Sequence, residues 1–145
     1  MMRSRIWIAT LTLAVLCGAR LFAEDTKPED TKCPVSGKAS KADKSVEFEG
    51  GKVYFCCGNC PKAFEKDKAK FATKARQQMV MTGELEQVHC PITHQAFKAD
   101  KSLDVGGATV KFCCDKCKGK VAKMSADDQV AACFAKEDCF KAAKK

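Results

Sequence analysis

The sequence predicts a small α+β protein made of two tandem copies of one module, each a knuckle turn, a β-hairpin and an α-helix. Three observations predict this. Cys33, Cys56, Cys57 and Cys60 reappear as Cys90, Cys113, Cys114 and Cys117, all at one constant offset and with no insertion between the copies. From Cys33 to Cys60, 14 of 28 positions are identical in the second copy, so the chain is an internal duplication around thiols. Between the outer cysteines of each copy apolar and polar residues alternate around glycines, and apolar residues at wider spacing follow each cluster.

Each element has a local reason. Cys33-Pro34-Val35-Ser36-Gly37 reads as a tight turn, and Cys90-Pro91-Ile92-Thr93 answers to its first four residues. Val46, Phe48, Val53 and Phe55 fall on one face of a hairpin around Gly50-Gly51. In the second copy Leu103, Val105, Val110 and Phe112 do the same, with Gly106-Gly107 near the turn. Pro61 suits a first helical turn, and Phe64 with Phe71 makes an i, i+7 stripe, leaving Lys62, Glu65, Lys66 and Lys70 in water. A second helix starts near Cys117 with Val121 and Met124 inward. Ser125-Ala126-Asp127-Asp128 reads as a new N-cap before a short helix, Gln129 to Ala135, carrying Val130, Cys133 and Phe134. Met79 to Gly83 joins the copies and could add a strand.

Residues 1–23 have the plan of a secretory signal peptide. Arg3 and Arg5 precede an apolar run from Ile6 to Gly18, too short for a comfortable membrane span, and cleavage falls after Ala23. An uncleaved anchor is a lesser alternative, and lipidation at Cys17 fits less well because Ala14-Val15-Leu16 lacks the small residue expected just before a lipidated cysteine. The organisation is then residues 1–23 signal peptide, 24–31 flexible leader, 32–88 first repeat with linker, and 89–145 second repeat with a helical tail. Cleavage lowers the formal charge from +8 to about +5, 23 basic against 18 acidic side chains, and leaves ten cysteines. A lysine-rich exported chain without interleaved aromatics is a poor nucleic-acid binder, so no nucleic-acid partner is expected. The expected location is periplasmic or secreted, with no stable membrane insertion after cleavage.

Three chemistries compete for the thiols. In metal binding, a hairpin folding back on its own turn brings Cys33, Cys56 and Cys60 together, with Cys90, Cys113 and Cys117 as their counterparts. This is how treble-clef-like zinc modules assemble a site, half from a knuckle and half from a helix N-terminus that favours thiolate. Each copy supplies three thiolates where a closed zinc site wants four. Cys57, Cys114 and His94 are the candidate additional ligands, with His89 a further one. The two histidines also read as ordinary surface residues. Cys57 adjoins Cys56 at a strand end and is expected to point to the other face. Three thiolates suit Cu(I) about as well as zinc, so the cofactor is Zn2+ or Cu+, one per repeat.

The second chemistry is a disulfide-stapled interaction module, favoured by export but opposed by the strain of bridging adjacent Cys56 and Cys57. Cys133 and Cys139, outside the repeat, are expected to form a disulfide pinning the tail. The third is thiol–disulfide exchange through Cys57-Gly58-Asn59-Cys60 and Cys114-Asp115-Lys116-Cys117, although the βαβ context of a thioredoxin-like motif is missing. No serine–histidine–acid arrangement or phosphate-binding glycine loop is visible, and no catalytic residue is expected.

The motif around the first cluster resembles the YHS/TRASH family of metal-binding modules. Phe55, Cys56, Cys60, Phe64, Glu65 and Asp67 match its aromatic, its Cys-x3-Cys and its downstream Phe-Glu-x-Asp. The resemblance covers residues 33–71 well and 90–124 more loosely. It implies a treble-clef-like fold, binding of zinc or copper, and a role in heavy-metal trafficking, sensing or resistance. The expected job is holding or handing on the ion, which adds storage as a role and a metal-transport protein as a candidate partner. The opening departs from the family's Asp-Pro-Val-Cys-Gly: Cys33 stands first, and Ser36, or Thr93 in the second copy, stands where the cysteine is usual. The chain is therefore expected to be a non-enzymatic, exported binder of a soft heavy-metal ion.

Overall fold

Two hairpins with the same register, one in each repeat, frame the protein in a computed structural model that describes residues 26–144. The signal peptide expected over 1–23 lies outside the described residues. In the first repeat β1 (Lys41–Phe48) pairs antiparallel with β2 (Gly51–Phe55), and in the second β4 (Lys98–Val105) pairs with β5 (Ala108–Phe112). Val46 opposes Val53 and Leu103 opposes Val110, and a register shift recurs between Lys41/Ser45 and Lys98/Ser102. Each turn has two residues with positive φ, Glu49-Gly50 and Gly106-Gly107, the geometry whose twist matches the flanking strands. Gly51 therefore lies in β2 and not in the turn. There a Cβ would come within 2.8 Å of Met79 Cε and 3.0 Å of Glu84 Cβ.

The inward faces are those that alternation predicts. Val53, Phe55, Val105, Val110 and Phe112 are fully buried, and Val46, Phe48 and Leu103 pack partly buried against them. Phe64 closes the first core, edge-on to Phe48 at 5.2 Å between ring centroids and tilted against Phe55 at 5.5 Å. Val105 and Val121 replace Phe48 and Phe64 in the second repeat, so its hairpin–helix core lacks those ring contacts, while Phe134 and Phe140 stack in its tail.

The helices of the first repeat differ from the sequence pattern in two places. The Phe64/Phe71 stripe suggests a single helix, but the chain forms α1 (Asn59–Lys66) and α2 (Lys68–Met81). Asp67 breaks between them at φ −145°, ψ 69°, and its carboxylate accepts from Lys70 N–H at 3.1 Å to cap α2. Phe64 and Phe71 thus belong to different helices. Met79 to Met81, a candidate strand, are instead the last turn of α2, with Met79 fully buried. The leader is also more ordered than its polar composition suggests: Pro28–Asp30 form a 3-10 turn and Thr31 is buried.

The second repeat continues through α3 (Asp115–Ala122) into α4 (Ala126–Phe134), which Ser125 caps and which starts at Ala126, ahead of the Gln129 expected. A short strand β6 (Phe140–Ala142) then pairs antiparallel with β3 (Leu85–Gln87), so the tail returns to the junction between the repeats. No helix among the described residues is long and apolar enough to cross a membrane.

The halves are clamped by Arg76 on α2, which is only 6% exposed. Its Nε donates to both carboxylate oxygens of Glu49, at 3.0 and 2.8 Å. Its Nη1 donates to the carbonyls of Phe134 and Ala135, at 3.1 and 2.9 Å, capping the end of α4. One guanidinium joins the first hairpin turn, the central helix and the second repeat, which a lysine's single ammonium cannot match. Arg76→Ala leaves Glu49 without its partner and exposes two carbonyls. It should cost about 3–5 kcal/mol in urea unfolding, with Arg76→Lys intermediate. A loss below about 1 kcal/mol would show that the clamp is dispensable.

Candidate metal centres

Each knuckle is closed by the same two backbone bonds. Cys33 N–H donates to Lys38 O and Gly37 N–H to Cys33 O, both at 2.8 Å. Cys90 N–H donates to Gln95 O and His94 N–H to Cys90 O, both at 2.9 Å. The first cysteine is buried beneath this turn, the second (Cys56, Cys113) follows the last residue of the inner strand, and the third (Cys60, Cys117) lies in the first turn of the helix. Cys33, Cys56 and Cys60 bring their sulfurs within 4.8 Å of one another, and Cys90, Cys113 and Cys117 do the same. Three residues distant in the chain thus converge twice, by the same route.

The spacing suits a metal. Cys56 Sγ and Cys60 Sγ are 3.6 Å apart, as are Cys113 Sγ and Cys117 Sγ. Two thiolates bound at about 2.3 Å to a tetrahedral ion stand about 3.8 Å apart, so these clusters need little rearrangement to close on one. All ten cysteines among the described residues are free thiols. The disulfide expected between Cys133 and Cys139 is not formed: both thiols are buried, and Cys139 Sγ faces the His94 ring and the Cys90 carbonyl instead.

Cys57 and Cys114 stand at the rim. Cys57 Sγ is 3.5 Å from Cys60 Sγ, while Cys114 Sγ is 3.6 Å from Cys113 Sγ and 3.7 Å from Cys117 Sγ. Neither joins the mutually close trio, and Cys57 is exposed. Cys57 does not point to the opposite face as strand alternation predicts, because the chain leaves the strand at Phe55 and Cys57 turns back toward Cys60. His94, a candidate ligand of the second cluster, converges instead with Asp138 and Cys139. His89 is exposed, and its carbonyl accepts from Gln87 at 2.9 Å.

Ser36 and Thr93 hold hydroxyls 3.0 Å from Cys56 Sγ and 3.2 Å from Cys113 Sγ. In each cluster the hydroxyl is thus a hydrogen-bond partner of the second cysteine. Two glutamines add a shell that pattern reading misses. Gln78 Oε1 accepts from Tyr54 N–H at 2.8 Å, and its Nε2 donates to Tyr54 O at 2.9 Å and Lys32 O at 3.0 Å. Gln87 Oε1 accepts from Lys111 N–H at 2.8 Å, and its Nε2 donates to Lys111 O at 2.6 Å and His89 O at 2.9 Å. Tyr54 and Lys111 are equivalent residues of the two repeats, as are Lys32 and His89. Each amide therefore ties the inner strand to the residue before the knuckle cysteine. The glutamines themselves sit on α2 and β3, out of step with the repeat, so no sequence signal marks them.

The thiols differ in acidity. Burial would raise Cys33, but hydrogen bonds from the Ser36 side chain and backbone and from the backbone of Cys56 outweigh it and bring it down to about 7. Cys90 also falls to about 7: burial opposes, and the Cys113, Thr93 and Ile92 backbone prevails. Burial, with neighbouring thiols behind it, pushes Cys60 and Cys117 up to about 12. The backbone amides of Asn59 and Cys60 lower Cys57 to about 7, and that of Cys117 lowers Cys114. The thiol activated by the helix N-terminus is thus the rim cysteine, not Cys60 as the motif suggests. Comparison with protein-family models, with curated proteins and with solved structures finds no match.

Alkylation of the reduced, metal-free protein should follow this order. Cys57 reacts first, being exposed and thiolate-rich, while Cys60, Cys117 and Cys133 react last. Passing from about pH 8 to about pH 6 takes Cys57 down through its value near 7, so its rate should fall roughly tenfold as thiolate becomes thiol. Timed iodoacetamide labelling read by peptide mass checks both. Uniform rates, or Cys60 ahead of Cys57, would contradict the assignment.

Proposed function

We propose that this chain is a non-catalytic metal-binding protein that holds one zinc or Cu(I) ion in each repeat for trafficking, storage or resistance. The carrying observation is the duplicated trio of free, converging thiols at spacings a metal–thiolate site requires. The low-pKa knuckle thiols Cys33 and Cys90 are ready anions, and an incoming metal displaces the protons of Cys60 and Cys117. The rim cysteines, outside the trio but touching it, suit a fourth ligand for zinc or a relay to a partner's thiol. The resemblance of the Phe55–Asp67 motif to YHS/TRASH modules supports the same reading, with a treble-clef-like arrangement. The N-terminal pattern supports export to a periplasmic or extracellular space, where a metal-transport protein is the natural donor or acceptor.

A second reading, thiol–disulfide exchange, rests on Cys57 and Cys60: their sulfurs lie 3.5 Å apart at a helix start, with the outer thiol acidic. It does not account for Cys33 and Cys90 beneath the knuckles.

Anaerobic titration separates the two. The reduced protein should bind two equivalents of Cu(I), or two tight equivalents of zinc, and Cys60→Ser should lose one and keep the other. Cys57→Ser should weaken the first site much less than Cys56→Ser. Chelation with reductant should lower the melting temperature of both repeats, the second more, because its core has Val105 and Val121 in place of phenylalanines. No bound metal, or one ion shared by both halves, would sink the two-site reading.

A further inference from the structure

His94 occupies the position in the second repeat that Gly37 fills in the first. Both have left-handed backbone, φ 72° at Gly37 and φ 59° at His94, and both donate their N–H to the knuckle cysteine's carbonyl. Glycine takes that conformation without steric cost. Histidine tolerates it better than most side chains but is still strained there. The turn does not require an imidazole, so the question is what the ring does.

The ring faces two donors from the C-terminal tail. Its Nδ1 is 3.1 Å from Asp138 Oδ2 and 3.7 Å from Cys139 Sγ, and the three donor atoms lie within 4.8 Å of one another. A tetrahedral zinc-class ion, with nitrogen and oxygen at about 2.0 Å and sulfur at about 2.3 Å, sets N···O near about 3.3 Å and N···S near about 3.5 Å. The observed separations bracket these. Cys139 is fully buried while the Asp138 side chain is 66% exposed, so a site here has a protein floor and an open side. Asp138 and Cys139 end the 3-10 turn that leads directly into β6, the strand that returns to β3.

We propose that His94, Asp138 and Cys139 form a third metal site that clips the tail onto the second knuckle. One imidazole, one carboxylate and one thiolate make a borderline donor set, which suits a zinc-class divalent ion and not Cu(I). Without metal, Lys136 Nζ lies 3.0 Å from His94 Nε2 and the ammonium donates to it, so the ring proton sits on Nδ1 and points at Asp138. Metal at Nδ1 moves that proton to Nε2, releases the Cys139 thiol proton to solvent, and requires the exposed Lys136 to turn away. The site shares no ligand with the two thiol clusters, although it abuts the second at Cys90, and it has no counterpart in the first repeat, where glycine replaces the histidine.

Cadmium-113 NMR of the reduced full-length chain, loaded with excess cadmium, reads the sites separately. Three resonances are expected, two from the sulfur clusters and a third shifted upfield because nitrogen and oxygen replace thiolates. His94→Gly and Asp138→Asn should each remove only the third. Metal-free His94→Gly should melt no lower than the parent, since glycine suits the turn. Lys136→Ala should keep the third resonance and bind zinc there more tightly in chelator competition. Two resonances in the parent, or a third that survives both His94→Gly and Asp138→Asn, overturns the third site and leaves the two-cluster reading standing. A lone upfield resonance supports the third site and removes the two clusters.

Discussion

The structure depends on one constraint: the inner strand of each hairpin must have its polar backbone satisfied on the side away from its partner strand. A two-stranded ribbon leaves that edge open, and buried amides without partners are costly. In both repeats a glutamine amide meets the demand, accepting from the N–H and donating to the carbonyl of Tyr54 or Lys111. The same amide nitrogen reaches the carbonyl just before Cys33 or Cys90. Satisfying the edge thus also sets the knuckle over the strand end, which makes the three thiols of each cluster converge. Shells of this kind orient first ligands and tune their affinity for metal.

Within each cluster the protein spreads acidity instead of lowering it everywhere. The knuckle thiol is surrounded by backbone amides and a hydroxyl, and the helix thiol is buried among other sulfurs. A metal-free cluster can then share protons among its sulfurs without packing several negative charges into a small space. A cation entering it supplies the charge that lets the remaining thiols ionise. The rim thiols, aided by helix amides, remain accessible from outside.

Much of the plan was legible in the chain itself. A duplication without insertions, with thiols at fixed positions and strict alternation between them, predicts two hairpins of equal register, and Val46, Phe48, Val53 and Phe55 share a face as expected. The helix break at Asp67 was not legible, because an i, i+7 phenylalanine pair looks the same whether or not a capping aspartate intervenes. Gln78 and Gln87 were invisible for another reason: they do equivalent jobs from inequivalent positions, one on a helix and one on a strand. Arg76 and the β3–β6 pairing join segments far apart in the described chain, where no local pattern carries information. The cysteines of the tail look like a pair in sequence, but both are buried free thiols and Cys139 faces a histidine ring.

The central claim, that each repeat presents a sulfur cage built in advance for a soft ion, is tested most directly by X-ray absorption at the metal edge on protein loaded with one equivalent per repeat. The account predicts a first shell of sulfur alone, three or four atoms at about 2.3 Å, for zinc as for Cu(I). A shell dominated by nitrogen and oxygen would contradict it, because the thiol clusters would then not be where the metal is held.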